Sequence, residues 1–447
     1  MKIQMKHWIP ILLGILLWES PLAGQQAAAF SLEEAIDYAW QNSNTIKNAQ
    51  LNIKDAEERI KESRSIGLPK LNAEVSYQRY LEIPVQALPE AFIPPPSTPG
   101  EEVPTEIAFL LRNNINIGIN LDAMLFDASY FTGLKASKAY RQYVRADLQV
   151  QQTNVKNNVI DAYLPALLVA ENLKLLDNNI SNLEKLLFET QELYKAGFVE
   201  QLDVDRLELS LSNLKTEREN AARQKELVIN GLKLAINYPT DQPLDISETL
   251  TDFLADVSDE ELAGQFDVTT RQEVGLVDLG VYLNDLNIEL NKVNYLPSLR
   301  LFGAYQQTYQ GNTSEDGFWA PTAFIGVRAN FPIFDGLAKG AKIQRATIER
   351  ENAKNQRADL VNGLNTELTN ARISYVNAQK RVADQEKNLG LAQRIYDTTQ
   401  IKYREGVGSS LEVNQAEQSL YSAQGNLVQA KYDLLTAKVL LDRALGK

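Results

Sequence analysis

Residues 68–80 read Leu-Pro-Lys-Leu-Asn-Ala-Glu-Val-Ser-Tyr-Gln-Arg-Tyr, and residues 296–309 read Leu-Pro-Ser-Leu-Arg-Leu-Phe-Gly-Ala-Tyr-Gln-Gln-Thr-Tyr. After the Leu-Pro each stretch alternates apolar and polar side chains, the period of a strand with one face in an apolar medium and the other in water. In the first, Leu71, Ala73, Val75 and Tyr77 are interleaved with Asn72, Glu74, Ser76 and Gln78. Downstream, Ile115, Ile117, Ile119 and Leu121 alternate with Asn116, Gly118, Asn120 and Asp122, the cleanest case in the chain. In the second copy Ile325, Val327, Ala329 and Phe331 alternate with Gly326, Arg328 and Asn330, and Phe302 blurs the preceding strand.

These strands belong to a larger duplication. Phe126-Asp127 returns as Phe334-Asp335, Tyr194-Lys-Ala-Gly197 as Tyr403-Arg-Glu-Gly406, and Leu202-Asp-Val-Asp205 as Leu411-Glu-Val-Asn414, at an offset of 208 to 209 residues. A fixed internal period marks a repeated structural unit. Repeat 1 is expected over 30–237, with a helix, strands at 70–82 and 114–126, a long helix at 129–195 and a helix at 202–237. Repeat 2 is expected over 268–447, with a helix, strands at 298–310 and 322–332, a long helix at 337–403 and a helix at 410–445. Residues 238–267 join the copies and hold Asp256-Val-Ser-Asp-Glu-Glu261; this stretch reads as part of a belt around the helical region.

The strands run near the ~9 to 11 residues that a tilted membrane strand needs. Their polar faces carry Glu74, Asp122, Arg300 and Arg328, their rims carry Tyr77, Tyr80, Tyr305, Tyr309, Phe318 and Trp319, and no apolar partner sheet exists elsewhere in the sequence. Aromatic girdles with a polar lumen fit an outer-membrane barrel better than a soluble sheet. Four strands cannot close a barrel, and an open edge in lipid leaves backbone groups unsatisfied at several kcal/mol each, so other chains must complete the sheet. A trimer supplies 12 strands and some lumen, although three does not follow uniquely from the strand count.

The helices make up most of the mass. No glycine occurs from Leu134 to Tyr194, which gives a helix on the order of 90 Å at ~1.5 Å per residue, with a kink expected at Pro165. Leu173, Leu176, Ile180, Leu183 and Leu187 form a heptad seam, and so do Leu420, Ala423, Leu427, Ala430, Leu434, Ala437, Leu441 and Ala444. Such seams build coiled coils, and the alanines let neighbouring helices approach closely. Gly197 and Gly406 stand where long helices end, a position that favours a left-handed cap without a side chain. Ser409 and Glu412 have capping-box spacing for the helix that follows.

The N-terminus carries Lys2 and Lys6, an apolar run from Trp8 to Trp18, then small residues at Ala23-Gly24 and Ala27-Ala28-Ala29. This is the pattern of a secretory signal peptide over 1–24, with cleavage as late as residue 29 equally compatible. The chain has no cysteine, which excludes a lipid-anchored N-terminus of the bacterial lipoprotein kind and a disulfide framework. Its single histidine, His7, lies in that peptide. Nucleophile systems that rely on histidine, imidazole or thiolate zinc sites, and haem or iron-sulfur ligation therefore lack their parts. Neither a P-loop nor a dinucleotide fingerprint is present, so no enzyme activity is expected and no catalytic, cofactor or metal residue is assigned. The net charge of -13 is spread along helices with mixed signs, whereas nucleic acid requires a clustered basic face.

The order of helix, strand, strand, helix, helix in duplicate, the Tyr-x-x-Gly turn followed by Leu-x-Val-x in both copies, and the closing Leu441-Asp-Arg-Ala-Leu-Gly446 together resemble the TolC family of outer-membrane efflux proteins, over essentially all of the mature chain. The resemblance implies a mixed α and β fold in which each chain gives four antiparallel strands to a trimeric 12-stranded outer-membrane β-barrel, continued by a periplasmic α-helical coiled-coil barrel. It implies a homotrimer in the outer membrane of a Gram-negative-type bacterium, in contact with outer-membrane lipid, docked onto a periplasmic adaptor and an inner-membrane pump, and acting as their exit duct. In such proteins the adaptor touches the hairpin tips, which here are Ala196, Gly197, Phe198, Glu405, Gly406 and Val407. A periplasmic gate is implied just past the turns. Glu412 matches its first acidic position, Gln415 occupies the second and is not acidic, and Asp203 matches the acidic position of the first copy. Gly408 sits where some relatives place the arginine partner, so a closed state here must use other links or be looser. Glu412 also fits a capping box, and Asp203 a favourable charge near a helix N-terminus.

The first hairpin loop, Ile83 to Asn113, contains Pro94-Pro-Pro96, Pro99-Gly100 and Pro104 and is about 20 residues longer than its counterpart around Gly311 to Ala320. Proline bars it from an interior strand, and long loops of such barrels are extracellular. Drug or metal efflux and type I protein secretion stay open as the duct's task. A secreted coiled-coil structural protein would leave the strands unexplained, and a stand-alone porin would leave the helices unexplained.

Overall fold

The computed structural model describes residues 28–93, 98, 105–253, 257–258, 262, 264–313 and 316–447. The expected signal peptide lies outside them, as do Pro94-Pro-Pro96, Pro99-Gly100 and Pro104 and most of the acidic run at 256–261. The elements in order are β1 (Ala28–Phe30), α1 (Leu32–Asn42), α2 (Asn44–Ser65), β2 (Lys70–Arg79), β3 (Gln86–Ala87), β4 (Glu106–Ile107), β5 (Asn113–Phe126), α3 (Ala128–Lys195), α4 (Gln201–Ile236), β6 (Leu244–Ile246), α5 (Gln272–Val293), β7 (Ser298–Gly311), β8 (Phe318–Asn330), α6 (Ala338–Arg404) and α7 (Ser410–Ala444). The described residues fall into two compact units, one within 1–42, 156–255 and 381–435, the other within 43–155, 256–380 and 436–447.

The second of these units holds the sheet, ordered β2-β5-β7-β8 and antiparallel throughout. Its register brings Val75, Ile117, Gln307 and Pro321 into one row, and Tyr77, Ile115, Tyr309 and Trp319 into another. One face is therefore apolar across all four strands, with Gln307 and, at one rim, Arg79 and Asn113 as polar exceptions, and Val75, Ile119, Ile325 and Val327 on it are exposed. The opposite face carries the ion pair Arg300–Asp122 at 3.4 Å. Phe302 belongs to this polar face, which explains the blurred alternation. Its ring meets Phe324 edge-on at 6.1 Å, lies 4.8 Å beneath the Arg328 guanidinium, and fills the space left by Gly326, where a Cβ would stand 2.8 Å from the ring. Neither β2 nor β8 has a second strand neighbour among the described residues.

β8 begins at Phe318, whereas the sequence suggests 322, and it ends before Phe331. Pro321 reads as a loop residue, yet an edge strand tolerates proline because its outer side makes no ladder bonds. Across the first hairpin loop, β3 and β4 form a separate two-residue pair.

The same unit holds α2, α5 and parts of α3 and α6. Ile46, Ala49, Ala56 and Ile60 put one buried stripe on α2, the 3-and-4 spacing of an amphipathic helix. Exposed pairs such as Arg145–Glu57 at 3.1 Å and Lys135–Glu289 at 3.1 Å link neighbours. Each is worth roughly 0 to 1 kcal/mol, so buried apolar area and not charge holds the bundle.

In the other unit, β1 and β6 pair in parallel, and Phe30, Tyr38 and Tyr238 cluster with ring centroids 5.5 to 5.8 Å apart. The buried Tyr163 hydroxyl donates to the Phe30 carbonyl at 2.9 Å and to Glu248 at 3.1 Å. Pro165 lies inside α3, which remains helical through it. Leu183 and Leu186 of α3, Leu207 and Leu214 of α4 and Val413 of α7 make one buried apolar cluster, flanked by Tyr396 and Tyr403 of α6. Along α7 the seam buries Leu420, Ala423, Ala430, Ala437, Leu441 and Ala444, but Leu435 replaces Leu434 inside. A helix of 3.6 residues per turn drifts ~20° per heptad, enough to move the buried face by part of a residue.

Candidate functional site

The two helical hairpins end in the same cap. Gly197 has φ +77° and Gly406 φ +76°, left-handed values that cost glycine little. The Gly197 amide donates to the Tyr194 carbonyl and the Phe198 amide to that of Leu193, both at 2.9 Å. Gly406 donates to Tyr403 and Val407 to Lys402, both at 3.0 Å. This pair of bonds is the Schellman motif, which satisfies carbonyls that a helix end leaves open. Phe198 and Val407, one residue past each glycine, are both 78% exposed. A single exposed apolar side chain is ordinary on a surface; the same exposure at the same position of two matching caps gives each tip an apolar point of contact.

The start of α4 is a capping box, with Glu200 as N-cap and Asp203 returning to the Glu200 amide at 3.3 Å. The other Asp203 oxygen accepts a hydrogen bond from the Ser410 hydroxyl on α7, and Arg206 donates to the same hydroxyl at 3.2 Å while lying 3.9 Å from Asp203. Asn414 donates to Ser210 at 3.2 Å, and Arg404 to Glu189 at 2.9 Å. The hairpins are thus tied to each other by α4–α7 and α3–α6 links within one chain. Of the sequence-derived gate residues, Asp203 is engaged in these links. Glu412 and Gln415 make no bond to it, and the Glu412 amide donates to the Ser409 hydroxyl at 3.2 Å as its cap. Ser410 and Arg206, absent from the sequence reading, supply the polar link where Gly408 offers none.

Below the turns lies a buried polar layer that sequence reasoning missed. Glu417 is 2% exposed, and its carboxylate accepts one hydrogen bond, from Tyr421 at 2.6 Å. Burial raises the Glu417 pKa, with the Tyr421 bond opposing the shift. Burial and then the Glu417 charge push Tyr396 up to about 12, and the same two causes raise Tyr421. Tyr403 is raised by burial and then by Asp203. Val413 and Leu420 at spacings of 4 and 3 from Glu417 were the available signal, since they put it on the seam.

No helix among the described residues is long and apolar enough to cross a membrane, and no group of three or more metal-binding side chains occurs among them. A family profile described as outer membrane efflux protein matches residues 35–237 and 282–447. The alkaline protease secretion protein AprF of Pseudomonas aeruginosa is 20% identical over 322 residues, which span 71% of this chain and 67% of AprF. The outer membrane efflux protein BepC of Brucella suis biovar 1 is 21% identical over 97% of this chain and 89% of its own length. Among solved structures, the open state of the Neisseria gonorrhoeae MtrE outer membrane channel superposes with a TM-score of 0.70 at 19% identity, over 100% of this chain and 98% of MtrE.

Proposed function

The chain belongs to the outer membrane efflux protein family, and from that premise we propose that it is the exit duct of a tripartite export system, a passive channel that carries substrates from an inner-membrane pump across the periplasm and outer membrane. The carrying observation is the four-stranded sheet, open at β2 and β8 and apolar on one exposed face. Such a sheet is stable in lipid only when other copies close it. Three copies give a 12-stranded barrel, the smallest closure by this chain that leaves an appreciable lumen. The helical hairpins continue the duct through the periplasm, with repeats at 30–237 and 268–447 and a joining segment at 238–267.

The hairpin tips dock a periplasmic adaptor through Ala196, Gly197, Phe198, Glu405, Gly406 and Val407. Support comes from two exposed apolar side chains held at matching positions by matching caps. Asp203, Glu412 and Gln415 control the mouth. Asp203 does so through its bond to Ser410, and Glu412 and Gln415 through the lumen. The protease-secretion role carried in AprF's name favours a second reading, protein secretion, for the same duct. A photo-crosslinking residue at Phe198 or Val407 is expected to capture a periplasmic adaptor in cells, while one at exposed Leu234, distant along α4, does not. Capture from Leu234 alone would contradict the tip assignment.

A further inference from the structure

Charge on the polar face of the sheet is confined to a few side chains. By register that face carries Lys70 and Glu74 of β2, Asp122 of β5, Arg300 of β7 and Arg328 of β8, and its remaining positions are neutral. All but Glu74 stand where the strands meet the helices: Lys70 opens β2, Arg300 follows the start of β7, and Asp122 and Arg328 precede the ends of β5 and β8. Three cations against one carboxylate give this band a charge of +2 per copy, on a chain whose net charge is -13. Arg300 and Arg328 are direct cross-strand partners, and like charges so placed destabilise a sheet. Asp122 offsets only part of this, lying 3.4 Å from Arg300. Arg328 forms no ion pair among the described residues and stands 4.8 Å over the Phe302 ring, which holds the guanidinium without neutralising it. Lys70 lies across from Asp122 and likewise forms no ion pair among the described residues. A neutral residue at 300 or 328 would serve sheet stability better, so folding alone does not account for the second arginine.

We propose that this band makes the barrel selective for solutes of net negative charge. The inference rests on the trimeric barrel proposed above, in which the polar face lines the lumen. Lys70 and Arg328 occupy the two edge strands, so closure continues the band around the lumen, and three copies at +2 each bring it to +6. Twelve strands ~4.8 Å apart and tilted by ~40° give a backbone radius on the order of 12 Å. Lysine and arginine side chains reach inward from that wall, and the Debye length is ~10 Å at about 0.1 M salt, so their field crosses much of the lumen. Rings of this kind concentrate anions and exclude cations. Lipid phosphate is not the partner, because the band lies on the face opposite the apolar one. Beyond the band only Glu74 is charged on this face, too little to reverse the sign.

The test is the reversal potential of the full chain in planar bilayers under a tenfold gradient of potassium chloride, whose two ions have nearly equal mobility. Glu412→Gln serves as the background, so that an acidic mouth does not set the sign. Chloride should be preferred over potassium by about threefold or more when the concentrated side is at about 0.1 M, and the preference should fade toward unity near 1 M, where the Debye length is ~3 Å. Arg300→Gln combined with Arg328→Gln should abolish the preference, whereas Arg300→Lys combined with Arg328→Lys should keep it. The lysine pair separates charge from structure, since a merely structural role would be lost in both double variants. Potassium preference, or a chloride preference that the glutamine pair leaves unchanged or the lysine pair abolishes, would overturn the inference while leaving the duct intact. Protein that inserts and conducts nothing would overturn the duct reading and this inference with it.

Discussion

Gly197 and Gly406 hold left-handed φ values in open space, with no atom within 4 Å of a Cβ placed on either. Substitution there costs backbone strain without a clash. Gly406→Val should therefore lower stability by about 1–2 kcal/mol, and Gly406→Asn by less, since asparagine visits this region more readily. Thermal unfolding followed by helical circular dichroism checks this, and equal effects of the two variants would contradict it. Glu417 carries the opposite kind of cost, a carboxylate in an apolar seam with one donor. Its folded pKa is raised, so the folded state holds the proton more tightly than the unfolded one. The resulting stability is present below the unfolded carboxyl pKa and is lost as pH rises through the folded value. Unfolding temperature should thus fall as pH rises above about 4, and Glu417→Gln, which keeps an acceptor for Tyr421, should flatten that slope. An unchanged slope would show that Glu417 is not its source.

At the scale of elements, the sheet shows where sequence suffices and where it does not. Strand β5 alternates so cleanly that its face assignment follows from Ile115 to Asp122 alone. Phe302 could not be placed that way, because its polar-face position depends on Gly326 lying opposite, a contact set by register between two strands. Gly326→Val should push Phe302 from under Arg328 and lower the thermal stability of the detergent-solubilised protein by at least several degrees. Phe302→Ala in the same chain should restore part of the loss, and a purely additive double variant would contradict the contact. The glycines of the tips were legible because left-handed caps have a residue signature. The Asp203–Ser410–Arg206 link was not, since it joins side chains 204 and 207 positions apart. Glu417 was partly legible from the seam, but a strict heptad misses the drift that also exchanges Leu434 for Leu435.

For the whole molecule, the open sheet and the family assignment converge on assembly. Within one chain β2 and β8 are separated by two strands, which at ~4.8 Å per step puts their backbones about 14 Å apart. A disulfide spans only about 4.4–6.8 Å between Cα atoms. A cysteine in β2 can therefore bond to one in β8 only between copies. The most direct measurement pairs Val75→Cys in turn with Ala323→Cys, Ile325→Cys and Val327→Cys, all on the same face, and resolves the oxidised membrane protein by denaturing electrophoresis. The closed trimer predicts that at least one pair yields a product ladder ending at three chains of about 50 kDa each. Exclusively monomeric protein for every pair, or a ladder continuing past three, would contradict it.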